Sequence, residues 1–114
     1  MYGDVPRQAG LHDFLKQATI RAMAQISVAH AGGSRYVVTV EEDSGSTSHE
    51  VTVWPSDVAR YAPGATPEAL LRASFEFLLA REPKEAIQRR FELSMIERYF
   101  PEYARVIGRM VADE

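Results

Sequence analysis

The stretch ATPEALLRASFEFLLAREPKEAIQRRF, residues 65–91, decides how the rest of the chain is read. Thr66 carries the hydroxyl of a helix cap, and Pro67 suits a first helical position, where no N–H is required. Glu68 puts an anion at the positive end of the helix dipole. Leu70, Leu71, Ser74, Phe75, Leu78 and Leu79 then recur at the spacing of a broad buried stripe. Glu68, Arg72 and Glu76 fall four apart on the opposite side, where charges of opposite sign support each other slightly. Phe77 flanks the stripe, so this central helix is expected to meet neighbours on more than one side. Its signal concerns packing and carries no chemistry.

Working back toward the N-terminus, residues 24–56 read as a three-stranded antiparallel meander that needs such a cover. Ile26, Val28 and His30 alternate with Gln25, Ser27 and Ala29, and AGGS at 31–34 supplies a glycine turn. RYVVTV at 35–40 is rich in β-formers, DSGSTS at 43–48 reads as a loop, and VTVW at 51–54 as the third strand. Setting Val40 opposite Val51 and Val38 opposite Val53 places Tyr36, Val38, Val40, Val51 and Val53 on one face with Ile26 and Val28. The other face, with Val37, Thr39, Thr52 and Trp54, is more apolar than a solvent face requires. Upstream, residues 1–22 divide into a tail with Gly3, Pro6 and Gly10 and a short amphipathic helix through Leu11, Phe14, Leu15, Ala18 and Ala22. They are expected to be peripheral to a single domain spanning 23–114, with Met23 a possible alternative start.

Toward the C-terminus, Pro83 is expected to open a second helix through Ala86, Ile87, Arg90 and Phe91. Ser94 with Glu97 three residues on has the form of a capping box, which starts a short helix that Pro101 halts. A last helix from Pro101 aligns Tyr103, Val106, Ile107, Met110 and Val111. The expected class is α+β: a three-stranded antiparallel meander packed by a central helix and a helical C-terminal half.

Composition narrows the chemistry. With 114 residues, 46% apolar and 25% charged, the chain suits one soluble globular domain. It has no cysteine, which excludes disulfides, thiolate metal sites and a cysteine nucleophile. No apolar run approaches the roughly 18 residues a membrane span needs, and no secretory layout opens the chain. A cytoplasmic protein is therefore expected, without membrane contact. The net charge of −3 opposes bulk attraction to nucleic acid, although residues 81–109 hold seven Lys/Arg against five Glu. Within that basic third Arg89, Arg90, Arg98 and Arg105 are the candidate surface for an anionic partner.

The acidic group Glu41, Glu42, Asp43, His49 and Glu50 is read as a soluble hairpin tip rather than a metal site, with Glu42 facing His49 in the register above. His12, His30 and His49 lie in three different elements without a metal-ligand pair, and no nucleophile-elbow glycine pattern supports a catalytic triad. Gly32 and Gly33 sit in a hairpin and open no phosphate-binding helix. No catalytic residue, metal ligand or cofactor site is assigned, and the chain is not expected to be an enzyme.

Three resemblances remain. AIQRRFELSMIERYF at 86–100 resembles a helix-turn-helix phrase, matched in type by Ala86, Arg90, Phe91, Leu93, Ser94, Ile96, Arg98 and Tyr99. The competing and favoured reading is a helical subdomain packed by Phe91, Leu93, Ile96, Tyr99, Phe100 and Tyr103. YVVTVEED at 36–43 with GATPEALLRA at 64–73 looks like antitoxins of the HicB type, in which a fourth strand follows the helix; here REP at 81–83 is read as leading into helices. HEVTV (49–53), SFEFLL (74–79) and ERYFPEY (97–103) together resemble small conserved bacterial proteins of unknown function. The resulting expectation is a non-catalytic module that binds a protein partner or itself. A nucleic-acid-associated regulator of antitoxin or helix-turn-helix type is the alternative.

Overall fold

A computed structural model describes residues 24–113; the expected N-terminal helix and the division at residue 22 lie outside the described residues. The elements run β1 (Gln25–Gly32), β2 (Arg35–Glu42), β3 (Gly45–Thr52), α1 (Pro55–Tyr61), α2 (Pro67–Leu79), a 3₁₀ turn (Lys84–Ala86), β4 (Arg90–Glu92), α3 (Met95–Tyr99) and α4 (Tyr103–Ala112). The α+β class stands. The sheet, however, has four strands in the order β1-β2-β3-β4, and β4 runs parallel to β3. The expected three-stranded antiparallel sheet is thus extended into a mixed one.

At the β1–β2 turn Gly32 (φ 110) and Gly33 (φ 57) occupy backbone regions that side chains resist. His30 Nε2–H donates to the Gly33 carbonyl at 2.7 Å, and its ring stacks on Tyr36 at 4.8 Å. The β2–β3 connection is tighter than expected. Only Asp43 and Ser44 make the turn, and Glu42 faces Gly45. Val40 lies opposite Thr47 and Val38 opposite His49, four residues away from the expected register. Ser46, Thr47 and Ser48 look like a loop by composition, yet they belong to the strand: Thr47 is buried inward while Ser46 and Ser48 face out. Because four is even, the slip left every side chain on its expected face. Tyr36, Val38, Val40, Val51 and Val53 are all buried together.

α2 forms as its sequence dictates. Thr66 Oγ1 accepts the Ala69 N–H at 3.1 Å, and Pro67 occupies the first turn. The helix is buried on two sides, making it a middle layer. Toward the sheet, Phe75 packs its ring at 5.3 Å from His49 of β3 and 6.2 Å from Phe91 of β4. Toward α4, Phe77 meets the Tyr103 ring edge-on at 5.3 Å. Ser74 Oγ–H donates to the Leu70 carbonyl, so the Tyr103 hydroxyl must be the donor in its 2.7 Å bond to Ser74 Oγ. α4 also closes on α1: a methyl group added at Gly108 would stand 3.1 Å from the Tyr61 carbonyl oxygen.

The second helix expected from Pro83 does not form. Lys84–Ala86 is one 3₁₀ turn, Ile87 is extended (φ −75, ψ 132), and Arg90–Glu92 is a strand. Helix propensity in AIQRRF loses to tertiary pairing. The Glu50 N–H donates to the Arg89 carbonyl at 2.7 Å and the Leu93 N–H to the Thr52 carbonyl at 3.0 Å, while Phe91 closes over Phe75. A helix-turn-helix needs two helices in this segment and there is one of five residues, α3. A fourth strand after α2, where the sequence is read as leading into helices, is present as β4. Ser94 is no cap: its backbone is helical (φ −63, ψ −15) and its side chain makes no capping bond. Glu97 turns away to accept from the Tyr61 hydroxyl at 2.7 Å and from Arg60 at 2.9 Å. Among the described residues, no helix is long and apolar enough to cross a membrane.

Candidate functional site

The arginines singled out by sequence do not gather into one stripe. Arg89 and Arg90 adjoin at the start of β4 and line a shallow recess with Val37, Ser48 and Glu50. Arg90 lies 3.7 Å from Glu50, which also stands 3.7 Å from Arg35. Arg105 belongs to α4; the Glu102 carboxyl is held below its ordinary range first by a backbone hydrogen bond, then by the Arg81 bond, and least by the Arg105 charge. Arg98 is exposed on α3. The local positive charge is therefore divided among separate elements and partly matched by carboxylates.

The acidic hairpin tip is tied down by a side chain the sequence did not flag. Lys84, 1% exposed, donates to Glu42 Oε1 at 3.1 Å, Ser44 Oγ at 2.7 Å and Glu85 Oε2 at 2.8 Å. The Glu85 bond, more than the Glu42 one, holds its ammonium above the ordinary range, and the same bond holds the Glu85 carboxyl below its own. The three donors of the ammonium are all used, so this is a clasp between the β2–β3 turn and the 3₁₀ turn. Glu42 thus faces Gly45 across the turn and reaches Lys84; it does not face His49.

His49 is 1% exposed on the inner face of the sheet. Its Nδ1 lies 2.8 Å from the Gln88 carbonyl, which can only accept, so Nδ1 carries the proton. Nε2 then accepts from the Thr47 hydroxyl at 2.8 Å. Burial lowers its pKa and the nearby Arg89 charge lowers it further, against a smaller upward pull from the Gln88 bond. A depressed histidine binds its proton more weakly folded than unfolded. Stability is therefore full above the unfolded value near 6.5 and is lost as pH falls from there toward the folded-state value. The melting temperature should drop between pH 7.5 and 5.5. In His49→Gln, which lacks the titrating ring, most of that drop should disappear; an unchanged slope would remove His49 as its source.

An apolar feature with room for another molecule lies at the helical end of the domain. Leu78 from the end of α2, Ile87, Phe91 from the inner face of β4, and Met95, Ile96 and Tyr99 from α3 enclose a cavity of about 400 Å³. Its origin is local. The three-residue β4 contributes Phe91, and the five-residue α3 contributes Met95, Ile96 and Tyr99. Tyr99 stands at the mouth, 62% exposed, and Phe100 is only half-buried against Phe77. The lining contains one carboxyl group, Glu82, pushed upward by burial. Of the residues expected to pack a helical subdomain (Phe91, Leu93, Ile96, Tyr99, Phe100 and Tyr103), Leu93, Ile96 and Tyr103 are core residues and Phe91 and Phe100 pack against that core; Phe91, Ile96, Tyr99 and Phe100 also line the cavity. The available signal was the surplus of aromatics around Pro101. No signal in the sequence marked Glu82.

Such an arrangement can receive an apolar group. Tyr99 and Glu82 are the ionisable groups in its lining. Comparisons with family models, curated proteins and solved structures give no match for this chain.

Proposed function

We propose that the protein is a non-catalytic interaction module of the bacterial cytoplasm, which accepts an apolar side chain of a protein partner in the cavity beside Tyr99. The observation that carries this reading is the cavity itself: an apolar, partly open volume of about 400 Å³ with a largely exposed tyrosine at its mouth. That volume lies in the range of sites that take small ligands or anchor residues. Tyrosine is enriched at interfaces because one end of the ring is apolar and the other can hydrogen-bond. The bacterial and cytoplasmic parts of the reading rest on the sequence resemblance. Nucleic-acid regulation is the weaker reading, because Arg89, Arg90, Arg98 and Arg105 are spread over separate elements and the net charge is −3.

Titration of isotope-labelled full-length protein tests both. Short peptides containing phenylalanine or leucine should shift the amide resonances of Ile87, Gln88, Phe91, Met95 and Tyr99. Mixed-sequence duplex DNA should bind no tighter than about 100 μM at physiological salt, the weak end of the nonspecific range. Micromolar DNA binding that weakens steeply with salt and is abolished by Arg89→Ala with Arg90→Ala would reverse the ranking.

A further inference from the structure

Glu82 is the odd member of the cavity wall. It is partly buried among apolar side chains, and burial makes its ionised form costly. Its flanking cations are both committed elsewhere. Arg81 spreads over the Phe77 ring at 3.6 Å and bonds Glu102 at 3.2 Å, while Lys84 is clasped by Glu42, Ser44 and Glu85. Among the described residues no hydrogen bond or ion pair reaches the Glu82 carboxylate. Glu82 lines the cavity with two cationic sequence neighbours, yet among the described residues it has no cationic contact, so its charge is left for solvent or an occupant to complement. Tyr99 continues the apolar surface beyond the mouth, so an occupant long enough to lie across it gains more contact than one confined to the cavity.

Resting on the interaction-module reading, we infer that the occupant is a basic peptide segment of a partner protein. It inserts one aromatic or aliphatic side chain between Ile87, Phe91 and Met95, and it sets the cation of a neighbouring lysine or arginine on Glu82. The apolar anchor supplies affinity and the carboxylate supplies selection. A segment with glutamate at the neighbouring position is rejected by like charge in a partly desolvated site. Because Glu82 is only partly buried, the preference fades as salt rises.

The test is fluorescence anisotropy of the full chain with capped six-residue peptides. One carries phenylalanine followed by lysine. In the others the lysine is replaced by glutamine or glutamate, or the phenylalanine by alanine. Phenethylamine serves as a small amphiphilic competitor. The lysine peptide should bind roughly threefold to tenfold tighter than the glutamine peptide, as one partly exposed ion pair allows. Glu82→Gln should erase that difference while keeping the preference for phenylalanine over alanine, and Glu82→Lys should make the glutamate peptide the preferred one. Circular dichroism spectra matching the wild type establish that both variants fold. Equal binding of lysine and glutamine peptides by the wild type overturns the inference and leaves the module reading standing. Phenethylamine competing as tightly as the peptide also overturns it, in favour of a small-molecule site. If no peptide binds and no cavity resonance moves, both readings fail.

Discussion

Replacing Phe75 by alanine is expected to destabilise the protein by about 3–5 kcal/mol, the range for removing a large buried aromatic ring. The position explains why the upper part of that range applies. Phe75 is fully buried, in the middle of α2, and its ring touches His49 of β3 and Phe91 of β4. The wall it would leave is made of a sheet and a helix, neither of which can collapse far into the gap. The neighbouring imidazole is held on both nitrogens, so it cannot swing in without breaking the bonds to Thr47 or Gln88. Domains of this size have about 5–15 kcal/mol of stability to lose. The variant should therefore still fold at low temperature, with its urea midpoint lowered by more than about 1 M for a slope of 1–3 kcal/mol/M. A loss under about 1 kcal/mol would mean that α2 presents a different face to the sheet.

How much of this was legible before the structure follows from the range of the interactions. α2 was readable because its signals are local: Thr66 caps it, Pro67 opens it, and its apolar spacing names the buried face. The inner face of the sheet was readable through alternation alone, which survives an even slip in register. The register itself was not, because Ser46, Thr47 and Ser48 have loop-like composition and only the two-residue turn at Asp43 and Ser44 places them. β4 was out of reach. Three residues cannot carry a period, and what makes Arg90–Glu92 a strand is the Glu50 amide and the His49 imidazole, some forty positions away. The capping reading at Ser94 failed for a related reason, since Glu97 has better partners in Arg60 and Tyr61. The candidate cavity is a space between residues distant in sequence, so no single motif could declare it. The arginines were visible as a count, but their separation onto different elements was not.

Tyr103 is expected to match Phe75 in effect, and its hydroxyl allows a finer dissection. It is fully buried where α4 crosses α2, with the rings of Tyr61 and Phe77 edge-on at 5.0 and 5.3 Å. Tyr103→Ala should cost about 3–5 kcal/mol, as for other large aromatic truncations. Tyr103→Phe keeps the ring and removes only the hydrogen bond given to Ser74, so it should cost about 1 kcal/mol. Ser74→Ala should cost more, about 1–3 kcal/mol, because it strands the buried Tyr103 hydroxyl without an acceptor. The double variant Ser74→Ala with Tyr103→Phe strands nothing and should cost less than the sum of the two singles. A coupling of at least 0.5 kcal/mol is expected for groups in direct contact; additivity within about 0.3 kcal/mol would mean that the bond contributes nothing to the fold. Alkaline pH offers an independent reading. Burial raises the Tyr103 pKa above its ordinary value of 10, and burial first, with the Glu97 hydrogen bond next, pushes Tyr61 up to about 12. The folded state thus holds these protons more tightly than the unfolded chain. Their stabilisation is full below pH 10 and is lost as pH rises above it. Wild-type protein should lose stability steadily beyond pH 10, and Tyr103→Phe should lose it less steeply because one of the two phenols no longer titrates. If both proteins show the same alkaline slope, Tyr103 ionises without opening the interface between α2 and α4, and the packing described for that interface is wrong.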